Sequence, residues 1–186
     1  MYVFLDFEAS SLADRSHPIE IGWVTEDGQE EEHLIRPAPG WTDWSDESAA
    51  IHGISRATLA SQGEPHDVVA RRMVDALTGH DLLASAPSWD GKWLSALLRA
   101  AGFARHTLRL RDTEAAWRET AARILAPSVA PDGLDGTVER VLAQARQSEL
   151  PHSPAHRALA DARQERARWL AVRDLAHAWV SERDSA

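Results

Sequence analysis

Apolar residues crowd the opening segment Tyr2-Val3-Phe4-Leu5-Asp6-Phe7-Glu8, which reads as a buried β-strand carrying two acids. Residues 19–25 alternate like a second strand, and Asp27-Gly28 is a hairpin turn signal. A third strand runs through residues 33–36 and stops at Pro37, where a Pro-, Gly- and Trp-containing loop extends to residue 44. Residues 45–52 predict a short helix ended by Gly53, and Ser55 caps a further turn. Residues 64–77 have helical spacing, with Val68, Val69, Met73, Val74 and Leu77 as the apolar stripe. A buried strand over 81–86 ends at Pro87. It is followed by a helix over 90–101, a short strand over 107–110 and a helix over 113–125. A helix over 134–147 comes next; Pro151 and Pro154 then break the chain, His152 falls in that loop, and a long helix runs from about 155 to 180. Three strands followed by alternating helices and strands predict one α/β domain over residues 1–186, with a mixed, roughly five-stranded sheet flanked by helices.

The acids of the first strand are its chemical signal. A strand repeats every two residues, so Asp6 and Glu8 point to one face. Two like charges among Val3, Phe4, Leu5 and Phe7 are costly to bury unless something compensates, and a divalent metal does so. Further ligands are expected at strand ends and helix starts, where an open α/β sheet binds its ligands. Asp90, a few residues beyond the strand 81–86, and Asp161, early in the last helix, meet that requirement. Hard oxygen donors favour Mg²⁺, with Mn²⁺ as a substitute, and two such ions about 3.5–4 Å apart can drive phosphodiester hydrolysis. His156 supplies a general base, since the free imidazole titrates near neutrality. A separation of five on one helix would put His156 and Asp161 on different faces, so His156 is expected at or before the first turn, held out by Pro154.

Composition narrows the partners. The chain has no cysteine, which excludes disulfides and thiolate metal sites and fits a reducing cytoplasm. It shows no long apolar run and no basic leader, so neither a membrane span nor a signal peptide is expected. A net charge of −9 argues against a long grip on a duplex and leaves room for a small contact with a strand end. Basic residues cluster at 105–111 and 157–173; the latter reads as a solvated helix face interleaved with acids such as Glu165. Core packing and base stacking are both open for Trp41 and Trp44, with packing favoured.

Asp6-Phe7-Glu8, then Asp90, then His156 with Asp161, resemble the three ordered motifs of the DEDDh 3′–5′ exonucleases of the RNase H-like superfamily. That group includes the proofreading subunit of bacterial DNA polymerase III, RNase T and oligoribonuclease. Ile51-His52-Gly53-Ile54-Ser55 also resembles a segment near the site of the proofreading members. In the tyrosine variant of the superfamily a Tyr stands four residues before the last Asp; Arg157 occupies that position here, so the histidine variant fits. The resemblance implies an RNase H-like exonuclease fold with strand order 3-2-1-4-5 and the second strand antiparallel. It implies two Mg²⁺ held by Asp6, Glu8, Asp90 and Asp161, with His156 deprotonating the attacking water. Ser10, Ser11 and Leu12 follow the first motif, where relatives contact the terminal nucleotide, although relatives often carry Thr where this chain has Ala9 or Ser10. His52 either touches substrate or ends a helix, and Trp89 is a candidate wall of the nucleotide pocket. The implied activity is hydrolysis of single-stranded DNA or RNA from the 3′ end to nucleoside 5′-monophosphates. Implied partners are 3′ ends and a polymerase or a second copy of the chain. An oligoribonuclease-like activity on short RNA and a non-catalytic, polymerase-associated binding subunit are the alternatives.

Overall fold

The first strand, β1 (Tyr2–Ala9), sits inside a six-stranded mixed sheet of order β4-β3-β2-β1-β5-β6. The structure is a computed structural model that describes residues 1–148 and 155–184; the proline breaks at 151 and 154 and His152 lie outside the described residues. β2 (Pro18–Thr25) pairs antiparallel with β1, and β3 (Glu30–Arg36) antiparallel with β2. After helices α1 (Asp46–His52) and α2 (Arg56–Gln62), the two-residue strand β4 (Glu64–Pro65) closes that edge parallel to β3. On the other side, helix α3 (His66–Leu77) leads to β5 (Asp81–Ala84), parallel to β1. Helix α4 (Pro87–Ala100) then leads to β6 (Leu110–Asp112), parallel to β5. Helices α5 (Thr113–Leu125), α6 (Pro131–Ser148) and α7 (Ala158–Asp184) complete the described chain. Ignoring β4, the strands lie in the order expected from the sequence.

The period of two along β1 divides the helices between the faces of the sheet. Val3, Leu5, Phe7 and Ala9 enter a core with Val69 and Met73 of α3 and Leu94 and Leu97 of α4. Phe4, on the other face, packs with Ala116 and Leu125 of α5, Leu142 of α6 and Trp169 of α7. A smaller cluster of Ile19, Ile54 and Leu59 seats α2. Both major cores are built from fully buried aliphatic and aromatic side chains, each worth about 1.5–3 kcal/mol of transfer free energy.

Several boundaries move for identifiable reasons. Helix α4 begins at Pro87, not at residue 90, because proline at the first helical position needs no N–H partner and has its φ preset. The last strand is Leu110–Asp112, not 107–110; Leu108 is buried from the preceding connection rather than from a strand. Residues 64–65 pair with Ile35 and Arg36 instead of opening α3. Helix α1 has the caps its sequence announces: Ser45 Oγ accepts from the Ser48 N–H, and Gly53 ends it in the left-handed region at φ 72°.

Candidate active site

The rings of Tyr2 and Phe4 lie 5.8 Å from that of Trp169 on α7, which fixes the helix over the even-numbered face of β1. From Phe4 to Glu8 the strand advances about 13 Å, and from Trp169 back to Asp161 the helix covers about 12 Å. Running oppositely along the same line, the two elements bring Asp161 over Asp6 and Glu8. Carboxylate oxygens of these three residues lie within 4.8 Å of one another, a separation suited to a shared cation. Gly22 makes the approach possible. It is the register partner of Asp6, and a Cβ there would overlap the backbone of Ala158 and Leu159 at the start of α7.

Asp90 arrives from the opposite helical layer. It stands in the first turn of α4, is 2% exposed, and its Oδ1 accepts a 3.3 Å hydrogen bond from the Phe7 N–H. Its Oδ2 is buried without a hydrogen-bond partner. Burial pushes the Asp6 carboxyl up to about 9, with the charges of Asp90, Glu8 and Asp161 adding to it. Burial also raises Glu8 to about 8, with Glu20 and Asp161 adding and Arg157 partly opposing. Asp90 rises to about 7, again chiefly through burial, opposed by the Phe7 N–H. Four carboxylates with mutually repelling charge, an orphaned buried oxygen and no thiolate match the donor chemistry of a hard divalent cation.

His156 stands two residues ahead of α7 and has φ 50°, in the left-handed region. Its position off the helix is held from both sides. Asp161 Oδ1 accepts from the Ala155 N–H at 3.0 Å. Arg157 donates to both carboxylate oxygens of Glu20, which also accepts from the Ala158 N–H at 3.0 Å. Glu20 lies opposite Glu8 on β2 and is 0% exposed. Sequence reasoning passed over it, although an acid between Ile19 and Ile21 in an apolar strand carries the same signal as Asp6. Glu165, expected on a solvated face, differs as well. The structure buries Glu165 one turn beyond Asp161, on the same side of α7, with Arg168 as its ion-pair partner.

The residues expected to touch substrate divide in two. Leu12, 67% exposed, and Trp89, 39% exposed, are large apolar side chains open to solvent beside the ends of β1 and the start of α4. Ser10 has no exposed surface: its hydroxyl donates to Asp43 Oδ2 at 2.7 Å and accepts from the His17 N–H at 3.1 Å. Ser11 Oγ donates to the same Asp43 oxygen at 2.6 Å. Both serines brace the 37–45 loop through Asp43, with hydroxyls engaged in that contact. His52 ends α1 and is buried; Nδ1 accepts from the Ile54 N–H, while Nε2 has no hydrogen-bond partner. Trp41 packs rather than projecting, stacked on His17 at 5.1 Å, and Trp44 lies edge-on to His52.

A six-stranded mixed sheet with helices on both faces, three clustered carboxylates above its central strand and a fourth at the adjoining helix start has the architecture of the RNase H-like exonuclease fold. Among solved structures the chain is similar to exonuclease I of E. coli in complex with a dA16 oligonucleotide, at a TM-score of 0.64 and 19% identity over 94% of this chain and 42% of that one. The zinc-ion-bound form of an E. coli exonuclease I–ssDNA complex matches at a TM-score of 0.62 and 19% identity, covering 89% of this chain and 38% of that one. A moderately thermophilic exonuclease I from Methylocaldum szegediense matches at 0.64 and 19% identity, over 91% and 40% respectively. The chain thus spans about two fifths of the length of these exonucleases, and what it shares with them is the fold. No family model matches the chain, and no curated protein matches its sequence. Among the described residues no helix is long and apolar enough to cross a membrane.

Proposed function

We propose that the protein is a metal-dependent 3′–5′ exonuclease that hydrolyses single-stranded DNA or RNA to nucleoside 5′-monophosphates. One observation carries this reading: Asp6, Glu8 and Asp161 converge within 4.8 Å above the central strand of an exonuclease fold. Asp90 is the fourth acid, with Oδ2 as its free donor atom. Two Mg²⁺ ions held by this set would supply positive charge to the scissile phosphate and would neutralise the repulsion among the acids.

The remaining work belongs to side chains of this protein. His156 accepts the proton of the attacking water, whose oxygen bonds to phosphorus as the bond to the 3′-oxygen of the penultimate nucleotide breaks. That oxygen leaves as a hydroxyl after taking up a proton. Glu20 and Arg157 keep the segment 155–158 in register with β2, so His156 approaches from outside the helix. Leu12 and Trp89 offer apolar faces to the terminal base; Ser10 and Ser11 act at one remove, by holding the loop through Asp43.

The test is to incubate the protein with 3′- and 5′-labelled DNA and RNA strands, with Mg²⁺ or EDTA, and to read polarity and products. Mg²⁺-dependent release of mononucleotides from the 3′ end is expected; cleavage unaffected by EDTA would exclude the mechanism. His156→Ala should slow turnover by roughly 10²–10⁴-fold with metal binding retained. A full rate at neutral pH in that variant would assign the base elsewhere.

A further inference from the structure

Beside Asp90 runs a groove of about 450 Å³ between α4 and the segment leading into β6. Its wall on α4 includes Gly91, the residue after Asp90, together with Lys92 and Ser95; the facing wall includes Arg105, His106 and Arg109. Three cationic side chains, Lys92, Arg105 and Arg109, line it and no acid does, in a chain whose net charge is −9. The contrast with the α7 side is sharp: there Arg157, Arg163 and Arg168 are each ion-paired, with Glu20, Glu30 and Glu165. Among the described residues Arg105 and Arg109 have no such ion pair, and Lys92 acts on Asp43 only at a distance. Arg105 Nε donates to His106 Nε2 at 2.7 Å, a neutral acceptor. Desolvation first, and then the charges of Arg105 and Arg109, hold the His106 imidazole below its ordinary range. Lys92 links the groove to the site: its Nζ lies 5.0 Å from the ring centre of Trp89 and donates to Ala13 O and Ser16 Oγ, just beyond the Leu12 turn.

We propose that this groove holds the sugar–phosphate backbone of a single strand on the 5′ side of the nucleotide being removed, with Arg105 and Arg109 as its phosphate contacts. The inference rests on the nuclease reading above. A polyanion approaching an acidic protein is repelled over most of its surface, so an uncompensated basic channel opening beside the catalytic acids sets the direction of approach. The channel recognises backbone, which is common to all sequences. Base contact falls instead to Trp89, already leaned on by Lys92.

The experiment measures binding of a fluorescein-labelled dT12 strand in EDTA by anisotropy, so that no hydrolysis intervenes. The Arg105→Ala/Arg109→Ala double variant should lose at least about tenfold in affinity at about 50 mM salt. The slope of log K against log salt should fall by about 1.4, or 0.7 for each lost phosphate contact to a single strand. Arg105→Lys/Arg109→Lys should restore most of both. Arg123→Ala/Arg183→Ala, which removes equal charge from α5 and α7 across the sheet, should bind as wild type does. Unchanged affinity and slope in the alanine pair, with wild type binding and cleaving normally, would overturn the groove and leave the nuclease reading intact. An equal loss in the Arg123/Arg183 pair would overturn it too, by showing that bulk charge alone is felt. Equal competition by an acidic peptide of matched charge would overturn the assignment to nucleic acid. Wild type that neither binds nor cleaves any strand would overturn both readings. Matched thermal melting of the variants separates each outcome from misfolding.

Discussion

Glu20 and Asp6 are neighbours in space and opposites in circumstance. Both are acids on central strands; Glu20 has no exposed surface and Asp6 is half-buried. Glu20 is answered completely: a two-pronged guanidinium from Arg157 and the Ala158 N–H occupy its oxygens. Asp6 is surrounded by Asp90, Glu8 and Asp161, and its carboxyl is driven to about 9 by burial and by their charges. The first is an acid the fold uses, tying β2 to the start of α7. The second is an acid the fold tolerates at a cost, and such a cost is what the proposed metal site would relieve. Buried carboxylates are thus told apart by whether the protein itself supplies their counter-charge.

The contrast can be broken most forcefully at the unanswered acids. Asp6→Ala or Asp161→Ala should lower hydrolysis by roughly 10⁴–10⁶-fold, comparable to removing a member of a concerted catalytic set, with circular dichroism unchanged. Retained activity in purified Asp6→Ala would end the proposed mechanism. Next in size is the answered acid. Arg157→Ala strands Glu20 without its partner and should cost about 3–5 kcal/mol, seen as a lowered melting temperature in EDTA. Arg157 is half-exposed and can rehydrate, so Glu20→Gln should cost less. Equal losses in the two variants would contradict the asymmetry.

A third measurement turns the same contrast into a pH dependence. Asp6, Glu8 and Asp90 all titrate higher in the folded chain than in the unfolded one, so the native state holds the extra protons. In EDTA, stability should therefore be greatest below the ordinary carboxylate range and should fall as pH rises from about 4 toward about 9. Asp6→Asn should flatten that decline and raise the melting temperature at pH 8 by about 4–8 °C, equivalent to on the order of 2 kcal/mol, while abolishing activity. A wild-type melting temperature independent of pH across this range would show the acids to be compensated already. The smallest expected effect concerns His17, 2% exposed, with neither ring nitrogen hydrogen-bonded and its imidazole held down to about 4, chiefly by burial. This group stays neutral when folded, so its contribution is present above pH 6.5 and is lost as pH falls toward 4. His17→Phe keeps the stack on Trp41 and should remove that component of acid sensitivity, changing stability at pH 7 by under about 1.5 kcal/mol.

The convergence of Asp6, Glu8 and Asp161 was legible in the chain because each interrupts a pattern: two charges in an apolar strand, and one at the expected start of a helix. Helix α1 could be read because Ser45 and Gly53 are local signals with local consequences. Glu20 carried the same interruption, but its meaning depends on Arg157, 137 residues away, and no local spacing reports such a pair. Ser10 illustrates the converse. Its place after the first motif suggested a contact, while its hydroxyl belongs to Asp43 across a loop whose path the sequence does not disclose. Boundaries shifted where the chain turns between elements, as at 85–86, where β5 has already ended and Pro87 opens α4.

Gly22 has a kinetic consequence as well as a steric one. Because the start of α7 rests directly on its backbone, Asp161 reaches Asp6 and Glu8 only after the last helix has docked. The loop being closed runs through most of the chain, and its entropy must be met before the contacts it enables contribute. Until then the acids of β1 face no fourth wall, and Glu20 has no arginine. Until α7 has packed on the sheet the three clustered acids stay apart, so the proposed site assembles only with that long-range contact.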